Sequence, residues 1–229
     1  AAISELEVDE NLSDASCLEI IRFLNDWKEK INPLYLMVSL PPTFAYPAHD
    51  ATSKILKEAV IPFCRDSGLP LALMIGVKRA VNPGLQLAGD GLGRADLVAL
   101  ENLCAENLDV KFLCTVLSRE NQQELCVIGR KFRNLHIFGC WWFTNIPSII
   151  DEMTRLRMEL LGTSFTAQHS DARVLDQVIY KWDHSRQIMT DVLTDKYTDL
   201  TQTGWSLTDQ AIQRDVNNLL GASFEAFCR

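Results

Sequence analysis

Three ionisable residues occupy alternate positions in the segment "FTAQHSDARVL", residues 165–175. His169, Asp171 and Arg173 follow a short apolar run, and a long helical pattern begins directly after them. Imidazole and carboxylate groups are metal ligands, and a guanidinium group binds carboxylates or phosphates. The spacing therefore indicates a metal or anion site at the end of a strand.

Other polar and aromatic residues follow the remaining predicted strands, and the carboxyl ends of such strands are where α/β proteins bind ligands. These residues are Tyr46, His49, Lys78, Arg79, Asn82, Ser118, Arg119, Trp141, Trp142 and Asn145. Cations and aromatic rings dominate, and Asp171 is the one well-placed carboxylate. Such a set suits a small, anionic, hydroxyl-rich ligand, with arginine for its carboxylate and tryptophan for a sugar face.

Each candidate also has a purely structural interpretation. Asp171 could cap the following helix, and Arg173 could be a solvated residue of its first turn. Trp141 and Trp142 are adjacent, so in a strand one would face the core and the other the pocket. His136 lies in an apolar strand and is predicted to be a hydrogen-bonded core histidine, whereas His184 is predicted on a helix surface.

The elements that must position these residues alternate along the chain. Apolar runs predict five strands, over 34–40, 70–77, 110–117, 134–143 and 163–168. Helical spacing predicts helices over 15–30, 49–66, 94–107, 119–132, 146–161, 173–199 and 207–226. Strands that are apolar on both faces indicate a parallel sheet covered by helices.

Two α/β architectures fit this alternation, a doubly wound open sheet and part of a (β/α)₈ barrel. The turn "PPTFAYP" after the first strand is stiff and cannot cradle a phosphate. The glycine cluster "AGDGLG" at 88–93 lies past its strand and is predicted to be a flexible loop before a helix.

Composition excludes several classes of protein. The 229 residues carry a net charge of −8, which argues against nucleic acid as the main partner. No apolar run approaches the roughly 20 residues of a membrane-spanning helix, and the first residues do not have the pattern of a signal peptide. The seven cysteines include no C-x-x-C pair, so free, mostly buried thiols in the cytoplasm are expected.

Four segments carry a family resemblance: "LMIGVKRAVNP", "IFGCWWFTN", "ELLGTSF" and "HSDARVLDQVIYKW". They resemble the uronate (glucuronate) isomerase family of the metal-dependent amidohydrolase superfamily. The resemblance implies an α/β fold, the C-terminal part (about five βα units) of a distorted (β/α)₈ TIM-type barrel with extra C-terminal helices. It implies interconversion of D-glucuronate with D-fructuronate and of D-galacturonate with D-tagaturonate.

The resemblance also assigns roles to individual residues. Asp171 matches a metal ligand, typically for zinc, and Asp171 and Arg173 are the implied catalytic residues. Arg173 is implied to contact the substrate carboxylate, and His169 joins it in the substrate site. Trp141 and Trp142 match a pocket wall. Arg79 matches a basic substrate residue, with Lys78 as the rival.

One departure from the family pattern is large. The family's H-x-H pair, which supplies two further metal ligands, has no counterpart here, and zinc chemistry usually takes three protein ligands. Residues 1–229 are therefore expected to form a single partial domain, barrel strands four to eight, completed by a companion segment that supplies strands one to three. The full enzyme is expected to be a homo-oligomer, and this chain alone is expected to be inactive.

Two alternatives stay open at the level of sequence: a non-catalytic fragment that binds sugar acids, and an unrelated open-sheet α/β domain. Strand order separates the second from a barrel fragment, which places its strands in sequential neighbour order. A half-barrel also leaves unpaired strand edges near 34–40 and 163–168, which favours association with another chain.

Overall fold

The computed structural model describes residues 8–169, 172 and 174–229. Strands and helices alternate through most of this range. The strands are β1 (Leu36–Leu40), β2 (Leu71–Ile75), β3 (Val77–Lys78), β4 (Gly91–Leu92), β5 (Phe112–Val116) and β6 (Leu135–Ile137). The helices are α1 (Asp14–Ile31), α2 (Ala51–Ile55), α3 (Ile61–Ser67), α4 (Val98–Glu106), α5 (Gln122–Lys131), α6 (Pro147–Leu161), α7 (Leu175–Gln202), α8 (Asp209–Asn217) and α9 (Ser223–Cys228). A π-helical turn, Leu56–Val60, joins α2 to α3, and a second, Asn218–Ala222, joins α8 to α9.

Four strands form a parallel sheet in the order β1-β2-β5-β6. Leu36 lies opposite Leu71, Leu71 opposite Phe112, and Phe112 opposite Leu135, so the strands begin in line with one another. Each strand of this sheet is followed by helical structure before the next begins, and neighbours in the sheet are successive in the chain. This order confirms the prediction of a barrel part.

The fifth predicted strand is reduced to a single parallel bridge between Phe138 and Thr166. The strand predicted over 134–143 also ends early, at Ile137. The physical reason is backbone geometry: Gly139 has φ +68° and Trp142 has φ +44°, and neither value belongs to an extended strand. The apolar character of "FGCWWF" belongs instead to a buried loop.

The hairpin formed by β3 and β4 was not predicted. Val77 pairs with Leu92 and Lys78 with Gly91 in antiparallel register, so part of the "AGDGLG" segment is a strand rather than a flexible loop. Gly76, with φ +126°, ends β2 and turns the chain into this hairpin. Two-residue strands are too short to show an apolar alternation, so only their pairing defines them.

The two faces of the parallel sheet pack against different partners. Leu71, Leu73 and Ile75 of β2 face the helices and belong to the larger core. Ala72 and Met74 point to the opposite face, which we call the inward face, because in a barrel it lines the interior. Helix α9 covers part of the inward face, since Phe224 and Phe227 pack against it.

Local signals at the helix ends match the predicted boundaries to within a few residues. The Ser13 side chain caps α1 by accepting a hydrogen bond from the Ser16 backbone N–H, and Asp50 caps α2 through Ser53 in the same way. The N-cap of α7 is Val174, which makes no side-chain cap. The capping role considered for Asp171 falls on a residue outside the described part of the chain.

The described helices include none that is long and apolar enough to cross a membrane. All seven cysteines are free thiols, and six of them are buried, as expected from the sequence.

Candidate active site

A cavity of about 680 Å³ opens over the inward face, near the carboxyl ends of β1 and β2. The residues that line it are Tyr35, Met37, Ser39, Met74, Val77, Arg79, Ala88, Asp90, Phe138, Trp141, Trp142, Phe143, His169, Gln177 and Lys181. Four predicted site residues are among them: Arg79, Trp141, Trp142 and His169. The other two, Asp171 and Arg173, lie outside the described residues.

His169 is packed against the wall of this cavity. Its ring meets Phe138 edge to face, with centroids 5.1 Å apart. The ring also lies directly on the backbone of Gly139, where an added Cβ would come within 1.9 Å of the His169 Cδ2 atom. Position 139 therefore requires glycine for two reasons, its positive φ and the imidazole ring that leaves no space for a Cβ atom.

A buried arginine supports the other side of Gly139. Arg157 is 1% exposed, and its Nη1 donates to the Gly139 carbonyl oxygen at 2.8 Å. Its Nη2 donates to Gln122 Oε1 at 3.1 Å, and the guanidinium lies 5.9 Å from the Phe165 ring centroid. The Gln122 side chain in turn donates to the carbonyl oxygens of Val116 and Ser118. One guanidinium thus ties the loops that follow β5 and β6 together.

Both tryptophans line the cavity, although a regular strand would have directed them to opposite faces. Trp141 is 4% exposed, and its carbonyl oxygen accepts hydrogen bonds from the backbone N–H and the hydroxyl of Thr144. The Trp142 ring stacks on Phe143 with centroids 4.5 Å apart. The turn at 139–142 brings the two rings to one cavity.

The β3–β4 hairpin carries Arg79 to the cavity, whereas its rival Lys78 is not among the lining residues. Arg79 is paired with Asp90, whose Oδ1 accepts a hydrogen bond from the Ala80 N–H at 2.8 Å. That backbone hydrogen bond and the Arg79 guanidinium lower the pKa of Asp90. Asp90 is therefore a carboxylate at neutral pH and holds the Arg79 guanidinium.

Sequence reasoning missed five polar lining residues: Tyr35, Ser39, Asp90, Gln177 and Lys181. Gln177 and Lys181 are four residues apart on α7 and therefore share one face of the helix. A polar i, i+4 pair on the helix that follows "HSDAR" is a weak signal, because most such pairs are only solvent-exposed. Asp90 gave no signal, since the glycine-rich segment around it was interpreted as a loop.

His136 is placed as expected, whereas His184, predicted on a helix surface, lies on a helix but is partly buried. His136 is 5% exposed, and its Nε2 lies 2.8 Å from Thr166 Oγ1. Burial, with the Arg157 charge adding to it, lowers the pKa of His136 to about 4. His184 is partly buried on α7, hydrogen-bonded to Asn145 Oδ1 at 2.9 Å, and burial lowers its pKa too.

The remaining strand-end candidates serve local structure. Tyr46 is buried in the larger core, and the Ser118 hydroxyl donates to the Glu120 carboxylate. Arg119 is paired with Glu152 at the surface. His49 is exposed and lines a separate cleft beside α2.

The part of the chain that the structure describes does not fit a metal centre by itself. No group of three or more His, Cys, Asp or Glu residues is close enough to hold an ion among the described residues. Within the cavity the described candidates are His169 and Asp90, and Asp90 already accepts hydrogen bonds from Arg79 and Ala80. The metal ligand predicted from the resemblance, Asp171, lies outside this range.

Comparison with known proteins identifies the fold and its relatives. No protein-family model matches the chain, and no curated protein matches it. A crystal structure of an uronate isomerase from Bacillus halodurans is 50% identical over 98% of this chain, with a TM-score of 0.95. An uronate isomerase from Thermotoga maritima (15% identity, 97% of this chain, TM-score 0.78) and a glucuronate isomerase from Caulobacter crescentus (16%, 99%, 0.75) share the fold.

This chain spans about half the length of these solved chains: 53% of the Bacillus, 55% of the Thermotoga and 53% of the Caulobacter protein. It corresponds to the C-terminal part of the Bacillus chain. The partial barrel that the family resemblance implies, and that the strand order supports, is therefore the arrangement that about half of the solved Bacillus chain adopts.

Proposed function

We propose that this chain, which belongs to the uronate isomerase family, forms the C-terminal half of a uronate isomerase and contributes its uronate-binding cavity. The observation that carries the proposal is the 50% identity, over 98% of the chain, to the Bacillus halodurans uronate isomerase. The proposed reactions are D-glucuronate to D-fructuronate and D-galacturonate to D-tagaturonate. A companion segment with barrel strands one to three completes the site.

The chemistry of the cavity supports a uronic acid as the ligand. Arg79 and Lys181 place positive charge at the wall, which suits the substrate carboxylate. Trp141 and Trp142 offer apolar surfaces for the sugar. A volume of about 680 Å³ lies within the range of small-molecule sites and exceeds what one hexuronate fills.

Isomerisation of an aldose to a ketose moves one proton from C2 to C1 and one from O2 to O1, through an enediol intermediate. This chain's residues hold the substrate for that step, because oriented binding lowers the entropic part of the barrier. Arg79, with Arg173 as predicted, holds the carboxylate, and the tryptophans hold the carbon chain. His169, which lines the cavity, is proposed to contact the substrate, and Asp171 stays the predicted base or metal ligand.

We also propose that the completed site binds a divalent cation, zinc, as the resemblance to the amidohydrolase superfamily implies. When bound, such an ion polarises a substrate oxygen. Because the described residues do not supply a ligand set, we derive no step through the ion. The free thiols are typical of proteins from a reducing compartment, and we propose the cytoplasm.

We expect the purified chain to hold well below one zinc ion per molecule, because a stable site usually takes three protein ligands. Elemental analysis after dialysis against a weak chelator measures this content. The companion segment mixed with the chain provides the matched control, and its addition is expected to raise the content towards one ion. A full complement of zinc in the chain alone contradicts the incomplete site.

Catalysis is tested with D-glucuronate and proton NMR in D₂O, which follows loss of the C2 proton and appearance of the ketose. Denaturing intact mass first establishes that no second polypeptide accompanies the chain. We expect no turnover by the chain alone and turnover after addition of the companion segment. Arg79→Gln should weaken glucuronate binding, whereas Arg65→Gln, which breaks the Arg65–Asp109 pair far from the cavity, should not.

Absence of both glucuronate binding and turnover in the completed protein overturns the proposed isomerase. Binding without turnover in the same completed protein favours the alternative function, a non-catalytic fragment that binds sugar acids.

A further inference from the structure

The pair of Arg79 and Asp90 sits at the mouth of the cavity with very unequal exposure. The Arg79 side chain is 66% exposed, whereas the Asp90 side chain is 5% exposed. Arg79 Nη1 donates to Asp90 Oδ2, and the Ala80 N–H donates to Asp90 Oδ1 at 2.8 Å. Asp90 is thus held on both oxygens, and the solvent-exposed partner of the pair is the arginine.

The backbone around Asp90 is closed into a loop by a hydrogen bond. The Asn82 N–H donates to the Gly89 carbonyl oxygen at 3.0 Å, directly before Asp90. A Cβ on Gly89 would come within 1.9 Å of the Asn82 carbonyl oxygen, so only glycine allows this approach. Ala80, the residue after Arg79, has φ +50°, a left-handed conformation that non-glycine residues seldom adopt. The Asp90 hydrogen bond to Ala80 helps to hold this conformation.

An exposed arginine normally samples many rotamers, and ordering it on ligand binding costs conformational entropy. A guanidinium presents five N–H donors, so one that uses Nη1 on Asp90 keeps donors for a substrate carboxylate. Both residues line the cavity. A buried, doubly anchored carboxylate that orients such an arginine reduces the entropic cost of binding.

We infer that Asp90 is a positioning residue, which acts through Arg79 to orient its guanidinium towards the carboxylate of the substrate. The inference rests on the proposed function for the identity of that substrate. It assigns to the β3–β4 hairpin the role of presenting one oriented cation to the cavity.

Binding of D-glucuronate, compared with its neutral amide analogue D-glucuronamide, tests this role. Both are titrated against the chain completed with its companion segment, by isothermal calorimetry. Asp90→Asn keeps an oxygen for the Ala80 N–H but removes the charge that holds Arg79. We expect it to weaken glucuronate binding about tenfold, the size of one charge-assisted hydrogen bond, and to leave glucuronamide binding unchanged.

A double-mutant cycle separates positioning from a general structural effect. If Asp90 acts through Arg79, Asp90→Asn has no further effect in the Arg79→Gln background. Asp109→Asn is the matched control, because it breaks a second arginine–aspartate pair, with Arg65, away from the cavity. Tighter glucuronate binding by Asp90→Asn, or an equal loss in the Arg79→Gln background, overturns the inference.

A readout that needs no ligand keeps this result distinct from the proposed function. The ¹⁵N heteronuclear NOE of the Arg79 Nε–Hε group reports whether the side chain is ordered. We expect an ordered side chain in the wild type and a mobile one in Asp90→Asn, while Asp109→Asn leaves Arg79 ordered. A mobile Arg79 in the wild type overturns the positioning role. If Arg79 is ordered but the completed protein does not bind glucuronate, the proposed substrate is wrong and the contact between Asp90 and Arg79 still stands.

Discussion

His136 shows how a single residue couples burial to stability. Its ring lies on the inward face, hydrogen-bonded to Thr166 and packed against Phe227 at a centroid distance of 5.2 Å. Burial lowers its pKa to about 4 from the ordinary value of 6.5. Between pH 6.5 and pH 4 His136 is therefore protonated in the unfolded chain but neutral in the folded chain. The folded state has its full stability from this group above pH 6.5 and loses it as the pH falls towards 4.

We predict that protonation of His136 in the unfolded chain lowers the free energy of unfolding by about 2 kcal/mol when the pH falls from 7 to 5. Urea denaturation at the two pH values measures the change. His136→Gln keeps a hydrogen-bonding group for Thr166 but does not titrate, so its unfolding free energy should change much less. An equal loss in the variant would show that other groups produce the pH dependence.

At the scale of elements, Arg157 of α6 holds two loops of the sheet in place. It is fully buried, and it donates hydrogen bonds to two neutral oxygens, those of Gly139 and Gln122. Removal of the guanidinium leaves both acceptors buried without this donor, and each unsatisfied group costs roughly 1–3 kcal/mol. Relief of the desolvated charge offsets part of this cost.

We predict that Arg157→Met lowers the free energy of unfolding by about 2–4 kcal/mol. Arg155→Met is the matched control on the same helix, because Arg155 forms ion pairs with Asp151 and Asp195 and is partly exposed. Surface pairs of this kind contribute about 0–1 kcal/mol. Chemical denaturation of both variants compares them, and equal losses would contradict the role assigned to Arg157.

At the scale of the whole molecule, β1 forms one edge of the parallel sheet. The Leu36 N–H donates to the Pro70 carbonyl oxygen, and the Leu40 carbonyl oxygen accepts from the Gly76 N–H. Even-numbered residues of β1 therefore use their backbone groups on β2, and those of Met37 and Ser39 face the open edge. Met37 is also 60% exposed, which makes this edge suitable for pairing with another chain.

We predict that the chain alone associates through this edge instead of forming a monodisperse species near its 25.9 kDa mass. Met37→Pro removes an edge N–H without breaking the β1–β2 ladder, so it should reduce the association. Val38→Pro removes a ladder donor and should destabilise the fold instead. Light scattering coupled to size-exclusion chromatography measures both, and a monomeric wild type with cooperative unfolding contradicts the prediction.

The apolar runs and helical spacing were sufficient to predict the parallel sheet and most helix boundaries, because these features depend on local periodicity. The sequential strand order was predicted only from the family resemblance. The family motifs predicted Arg79 and the tryptophan pair as substrate-site residues, and one cavity brings them together with His169, while their roles stay predictions. Only the tertiary structure revealed the β3–β4 hairpin and the turn that places both tryptophans on one side of the cavity. It also revealed the contacts of Asp90 and Arg157 and the position of Lys181 at the cavity. These depend on backbone pairing, positive φ angles and contacts between residues far apart in the chain, for which the order of residue types carries no periodic signal.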